Sequence, residues 1–199
     1  ISAAAVQAAI ADSLASPDLG RRSSFYAIDA RDGTVLAKSG TGALTPASTT
    51  KVLTAFAALN ELGSTTRFET KVVRQGNQLV LVGGGDPYLM TKAVKGSAVA
   101  KANLTDLAKQ AAKSVGEQPV EVGYDASLFT GPAASPGWEV SYLPGGVVAP
   151  VSALWVDRGR VGSARSADPA AAAAASAISS AASVSNRPSS PTRRTSLPL

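Results

Sequence analysis

Apolar residues three or four apart mark three helices along this chain. Val6, Ile10 and Leu14 predict a short helix over Ala3 to Leu14, closed by Pro17 and Gly20. Val52, Ala55, Phe56, Leu59 and Leu62 share one face of a helix running from Ser48 to Leu62. Leu53, Ala57 and Ala58 add apolar surface on its other sides, which predicts a largely buried helix. Pro46 just ahead of it and Gly63 just past it are the punctuation such a helix needs. Leu104, Leu107, Ala108, Ala111 and Val115 give a third, amphipathic helix over Leu104 to Val115.

Between the helices the period changes to two. Ser23 to Asp29 alternates, with Phe25 and Ala27 on one side and Tyr26 and Ile28 on the other. Arg31-Asp32-Gly33 is a turn signal, and Thr34 to Lys38 returns as the second strand of a hairpin. Phe68 to Arg74 and Gln78 to Val82 form a second hairpin around Gly76-Asn77. Pro119 to Tyr124 and Val151 to Val156 are two further expected strands. Breakers at Gly131-Pro132, Pro136-Gly137 and Pro144-Gly145-Gly146 make 125–148 loop-rich. Trp138 and Tyr142 in that stretch read as anchors of a small core.

From about Ser166 the composition shifts, and no Phe, Tyr or Trp follows. Asp168-Pro169 can cap and open a helix, and the alanine run Ala170 to Ala175 can continue it. The Ser/Pro/Arg end buries too little apolar surface to be ordered, so 166–199 is expected to be a low-complexity, disordered tail.

Composition removes several function classes. The 199 residues include no His and no Cys, which excludes a disulfide framework, thiolate metal sites, and Ser-His or Cys-His catalysis. A zinc site would need carboxylates alone, and no cofactor is expected. The net charge of +5 is scattered rather than striped, with Arg187, Arg193 and Arg194 in the tail. There is no basic-aromatic interleaving, which argues against nucleic-acid binding. No apolar run approaches the length of a membrane span. The chain starts with neither Met nor a basic leader, the form of a mature exported protein or of one that is not exported.

The chemistry sits at the mouth of the second helix. Lys51 follows Ser48 by three residues, in the one Ser-x-x-Lys of the chain, so the two side chains share a face and can meet. A serine hydroxyl becomes a useful nucleophile when a neighbouring base takes its proton. A lysine can be that base where burial or nearby positive charge lowers its pKa. The competing reading is a polar first turn with Lys51 reaching to solvent. Gly83-Gly84-Gly85-Asp86-Pro87 lacks the Gly-Lys-Ser/Thr of a phosphate loop and reads instead as a strand exit whose backbone approaches something closely.

These stretches together resemble a known family. Tyr26 to Ala37, a short loop, then Pro46-Ala47-Ser48-Thr49-Thr50-Lys51 looks like the entry to the penicillin-recognising transpeptidase fold. Leu81 to Leu89, Tyr124 to Phe129, Pro136-Gly137-Trp138-Glu139 and Val151 to Asp157 resemble the D-alanyl-D-alanine carboxypeptidase/endopeptidase family, the low-molecular-mass class C penicillin-binding proteins. The resemblance covers roughly residues 20 to 168 and implies an α+β, serine β-lactamase-like fold interrupted by an inserted β-rich domain. The expected parts are 1–66, the amino-terminal part of the transpeptidase-like domain, then 67–165, the inserted region, then the 166–199 tail.

The implied activity is acyl transfer on peptidoglycan stem peptides ending in D-Ala-D-Ala, sensitive to β-lactam antibiotics. Ser48 would be the nucleophile, Lys51 the proton acceptor and the Ser48 backbone N–H an oxyanion donor. The implied location is exported: periplasmic, cell-wall associated or extracellular. The family completes its site with Ser-x-Asn and Lys-Thr-Gly. Neither occurs here, since Ser185-Asn186 lacks the middle residue and Arg194-Thr195-Ser196 is a faint echo. The fold is therefore expected to be incomplete, with unrelated sequence after about residue 175 and little activity of the chain alone. The alternative is a non-catalytic cell-wall binding or scaffold protein that keeps part of the fold. A β-lactamase is disfavoured, because 67–165 has no place in that smaller fold.

Overall fold

The computed structural model describes residues 1–40, 42–99, 101–116 and 118–185. The chain is mixed α and β and divides into two compact units, Ile1–Thr65 and Thr66–Leu199.

In the first unit, α1 (Ala3–Leu14) begins where the Ser2 hydroxyl accepts the Ala5 N–H at 3.2 Å. Ala3, Val6, Ile10 and Leu14 are its half-buried positions, and the last three are those the spacing marks. The strands β1 (Phe25–Ile28) and β2 (Val35–Ser39) pair antiparallel, with an irregularity at Ala27/Ile28. α1 lies against β2, whose Leu36 and Ala37 are buried, and the Gln7 side chain donates to the Leu36 carbonyl at 3.2 Å. The hairpin turn closes through Asp29 N–H to Thr34 C=O and Gly33 N–H to Asp29 C=O, both 2.8 Å. Asp29 is buried and grips Arg31 in a two-pronged ion pair at 3.0 and 2.6 Å.

The last helix of this unit, α2 (Thr50–Leu62), differs from expectation. It ends at Gly63, with φ 79°, as the sequence signals. Its first turn, however, is a separate 3₁₀ turn, Ala47–Thr49, so Ser48 lies just outside the α-helix and Lys51 just inside it. The expected burial is overturned as well. No residue of α2 is buried, and Leu53 and Phe56 are 68% and 70% exposed. Among the described residues of this unit, nothing packs across its apolar face.

The second unit is built on a three-stranded sheet, β3 (Lys71–Gln75), β4 (Gln78–Val82) and β5 (Glu121–Asp125), in that order. β3 and β4 form the hairpin around Gly76-Asn77, and β5 joins β4 in parallel after α3 (Leu104–Val115). The central position of β4 explains its nearly continuous apolar sequence, buried from Gln78 to Leu81. α3 has the bounds its periodicity predicts and is capped by Asn103, whose side chain accepts the Asp106 N–H at 2.9 Å.

The glycine run is a close-packed strand exit. A Cβ on Gly83 would meet the Ala153 carbonyl oxygen at 2.5 Å, and one on Gly84 would run into the Glu69 backbone. Val151 to Val156 is not a strand: it is tied to other segments by Gly85 N–H to Ala153 C=O at 2.8 Å and Val151 N–H to Ala133 C=O at 2.7 Å, without a ladder. The segment is apolar because Leu154 and Val156 fill the core, not because it joins a ladder.

The expectation of disorder across 166–199 is overturned for its described part. After the short hairpin β6 (Arg160–Val161) and β7 (Ala164–Arg165), the helix α4 (Pro169–Ser185) begins where the Asp168 carboxylate accepts the Ala171 N–H at 2.9 Å. Ala170, Ala173 and Ala174 are buried in one cluster with Leu81, Leu104 and Tyr124. Small side chains let α4 sit close to α3 and β5, so an alanine run supplies core without large apolar residues. The expected disorder of 186–199, with Arg187, Arg193 and Arg194, lies outside the described residues.

Candidate active site

Ser48 sits in the 3₁₀ turn and Lys51 in the first turn of α2. The Lys51 Nζ donates to Ser48 Oγ at 2.9 Å, so the pair meets as the three-residue spacing predicts. The turn that carries them is closed by Thr49 N–H to Pro46 C=O at 2.9 Å. Pro46, Thr49 and Thr50 have right-handed backbone, but Ala47, next to Ser48, has φ 45°. Nothing in the sequence signals this, because alanine is not a residue that favours left-handed backbone.

Both partners are exposed. The dry surroundings that suit a lysine base are not supplied by the first unit. Among the described residues there is no group of three or more His, Cys, Asp or Glu able to hold a metal ion. No helix among them is long and apolar enough to cross a membrane. The second unit has an open cleft of about 750 Å³ between α3 and α4, whose lining includes Thr91, Lys92, Lys109 and Ser176. Its Asp106 is already engaged by Lys109 and Asn103.

Ser48 and Lys51 thus place a hydroxyl and an amine in direct contact at the entrance of α2. The family model for D-Ala-D-Ala carboxypeptidase 3 (S13) matches residues 6–189, and the chain belongs to that family. The match runs past residue 175, so unrelated sequence does not begin there. The chain is 41% identical over 182 residues to carboxypeptidase Rv3627c of Mycobacterium tuberculosis, covering 85% of this chain and 39% of that one. It is 37% identical over 174 residues to carboxypeptidase DacB of Mycolicibacterium smegmatis, covering 81% and 37%. The chain thus spans less than two fifths of the length of these relatives. No solved structure matches it.

Proposed function

We propose that this chain carries the nucleophile and base of a serine D-Ala-D-Ala carboxypeptidase of peptidoglycan, with a penicillin-binding fold interrupted by an inserted domain. The observation behind this reading is the 2.9 Å hydrogen bond between Lys51 Nζ and Ser48 Oγ in a member of this family. With Lys51 as the free amine, Nζ takes the Ser48 proton while Oγ attacks the carbonyl carbon of the penultimate D-Ala. The peptide C–N bond breaks, the proton passes to the leaving nitrogen and D-Ala departs. Water then hydrolyses the ester on Ser48. An endopeptidase reaction on cross-linked stem peptides follows the same steps with a larger leaving amine. β-Lactams, which carry a strained amide, would acylate the same oxygen. The exported location is the one at which the substrate occurs.

The test is labelling of the chain with a fluorescent penicillin, with the adduct mapped by peptide mass spectrometry. An adduct on Ser48 that disappears in Ser48→Ala supports the reading. No adduct at Ser48 would favour a non-catalytic wall-binding protein that keeps part of the fold.

A further inference from the structure

We infer that Ala47 is a positioning residue for Ser48, and that its left-handed backbone aims the hydroxyl at Lys51. The inference rests on the acyl-transfer reading of Ser48 and assigns a role to a residue that touches no reacting atom.

Three observations carry it. Ala47 is one of the few non-glycine residues with positive φ among the described residues, at 45°. It stands between Pro46, at φ −74°, and the right-handed Thr49 and Thr50, at −62° and −53°. The sign of the backbone thus reverses for one residue, immediately before the nucleophile. A residue with a Cβ resists this conformation, and strain of this kind persists only where the surroundings enforce it. Here the enforcing bonds are local: Thr49 N–H to Pro46 C=O, and Thr50 N–H to the Ala47 and Ser48 carbonyls. The reversal falls at the start of the 3₁₀ turn, one residue before Ser48, and Oγ ends 2.9 Å from Nζ. Ala47 itself is exposed. A larger side chain there has room, so its effect must come through the backbone.

That separation gives the test. Ala47→Gly and Ala47→Asn keep a left-handed residue at low cost, whereas Ala47→Val, β-branched, does not. The 199-residue chain and the three variants are treated with fluorescent penicillin at increasing concentration, and saturable kinetics separate binding from the acylation step. The expected result is unchanged acylation for the Gly and Asn variants. The Val variant should lose ~10²-fold in the acylation rate constant, the scale of a misplaced reacting group, with little change in half-saturation. Hydrogen exchange of the Thr49 and Thr50 amides, read by mass spectrometry, is measured on the same four proteins. Opening of these two amides in Ala47→Val alone supports the inference even if Ser48 is never acylated, an outcome that would remove only the acyl-transfer reading. Equal exchange in all four proteins, or full-rate acylation of Ala47→Val, would overturn it.

Discussion

Thr91 reaches across 66 residues of sequence to Asp157, placing its N–H 3.0 Å from one carboxylate oxygen and its hydroxyl 2.6 Å from the other. Asp157 also donates its own N–H to the Leu89 carbonyl at 3.0 Å, and it does so with a left-handed backbone, φ 50°. This latch joins the segment after the glycine run to the segment that precedes the β6–β7 hairpin. Asp157→Ala removes both acceptors and strands the Thr91 donors, so it should destabilise the chain by about 1–3 kcal/mol. Asp157→Asn should cost less, because asparagine tolerates positive φ and keeps one acceptor. Urea unfolding of the two variants checks the order.

The strand exit at Gly83 admits no side chain. Gly83→Ala would put its Cβ 2.5 Å from both the Ala153 oxygen and the Leu154 Cβ. Overpacking of this kind costs about 1–3 kcal/mol. Gly137, whose added Cβ would meet nothing closer than the Ser135 Oγ at 3.7 Å, is the control, and Gly137→Ala should be near neutral. Thermal melts of the two variants decide it.

Much of this architecture is legible in the sequence, and the failures have physical causes. The bounds of α1, β4 and α3 follow from apolar spacing, because each packs one stripe or one run onto a neighbour within its own unit. Val151 to Val156 misleads because a buried apolar run looks the same whether it joins a sheet or only fills a core. α4 misleads in the opposite sense: its alanines carry almost no hydrophobic signal one by one, yet Ala173 is fully buried. The Ser48–Lys51 pair is legible because helical spacing fixes it. The exposure of α2 is not, since a hydrophobic pattern does not say whether a partner is present.

Acid should act on the first hairpin. The Arg31 guanidinium, followed by the Arg31 backbone N–H, holds the Asp29 carboxyl below its ordinary value. The Thr34 backbone N–H acts on Asp32 in the same direction. A carboxyl lowered in the folded state binds its proton more tightly in the unfolded chain. Its stabilisation is therefore complete above the unfolded value, about 3.9, and is lost as pH falls through the lower folded value. Asp29→Asn should flatten the acid limb of a melting-temperature profile below about pH 4, while leaving the part due to Asp32. An acid limb unchanged in Asp29→Asn would show that the ion pair contributes nothing measurable.

The apolar face of α2 should govern the solution behaviour of the chain. Phe56 and Leu59 stand 70% and 59% exposed along it, and Leu53 beside it is 68% exposed. Contiguous apolar surface of this kind promotes association. Phe56→Glu with Leu53→Lys should make the 199-residue chain markedly less prone to associate, with no loss of melting temperature. Sedimentation velocity over a concentration series reads this directly.

Turnover should be poor in the chain by itself. It holds Ser48 and Lys51 but neither Ser-x-Asn nor Lys-Thr-Gly. The loss of a single oxyanion donor costs ~10²–10³-fold. Release of D-Ala from a D-Ala-D-Ala peptide by the 199-residue chain should therefore lie at least that far below a complete member of the family. Turnover at the rate of a complete member would mean that other residues here complete the site.

The central claim is that Lys51 activates Ser48 as an acyl acceptor, and covalent labelling by fluorescent penicillin across four proteins tests it most directly. The wild-type chain should carry the adduct on Ser48, and Ser48→Ala should carry none. Lys51→Ala should label ~10²–10⁴-fold more slowly, the usual loss on removing a general base. Lys51→Arg should be nearly as slow, because a guanidinium does not give up its proton. Labelling that persists in Ser48→Ala, or proceeds at the wild-type rate in Lys51→Arg, would contradict the account.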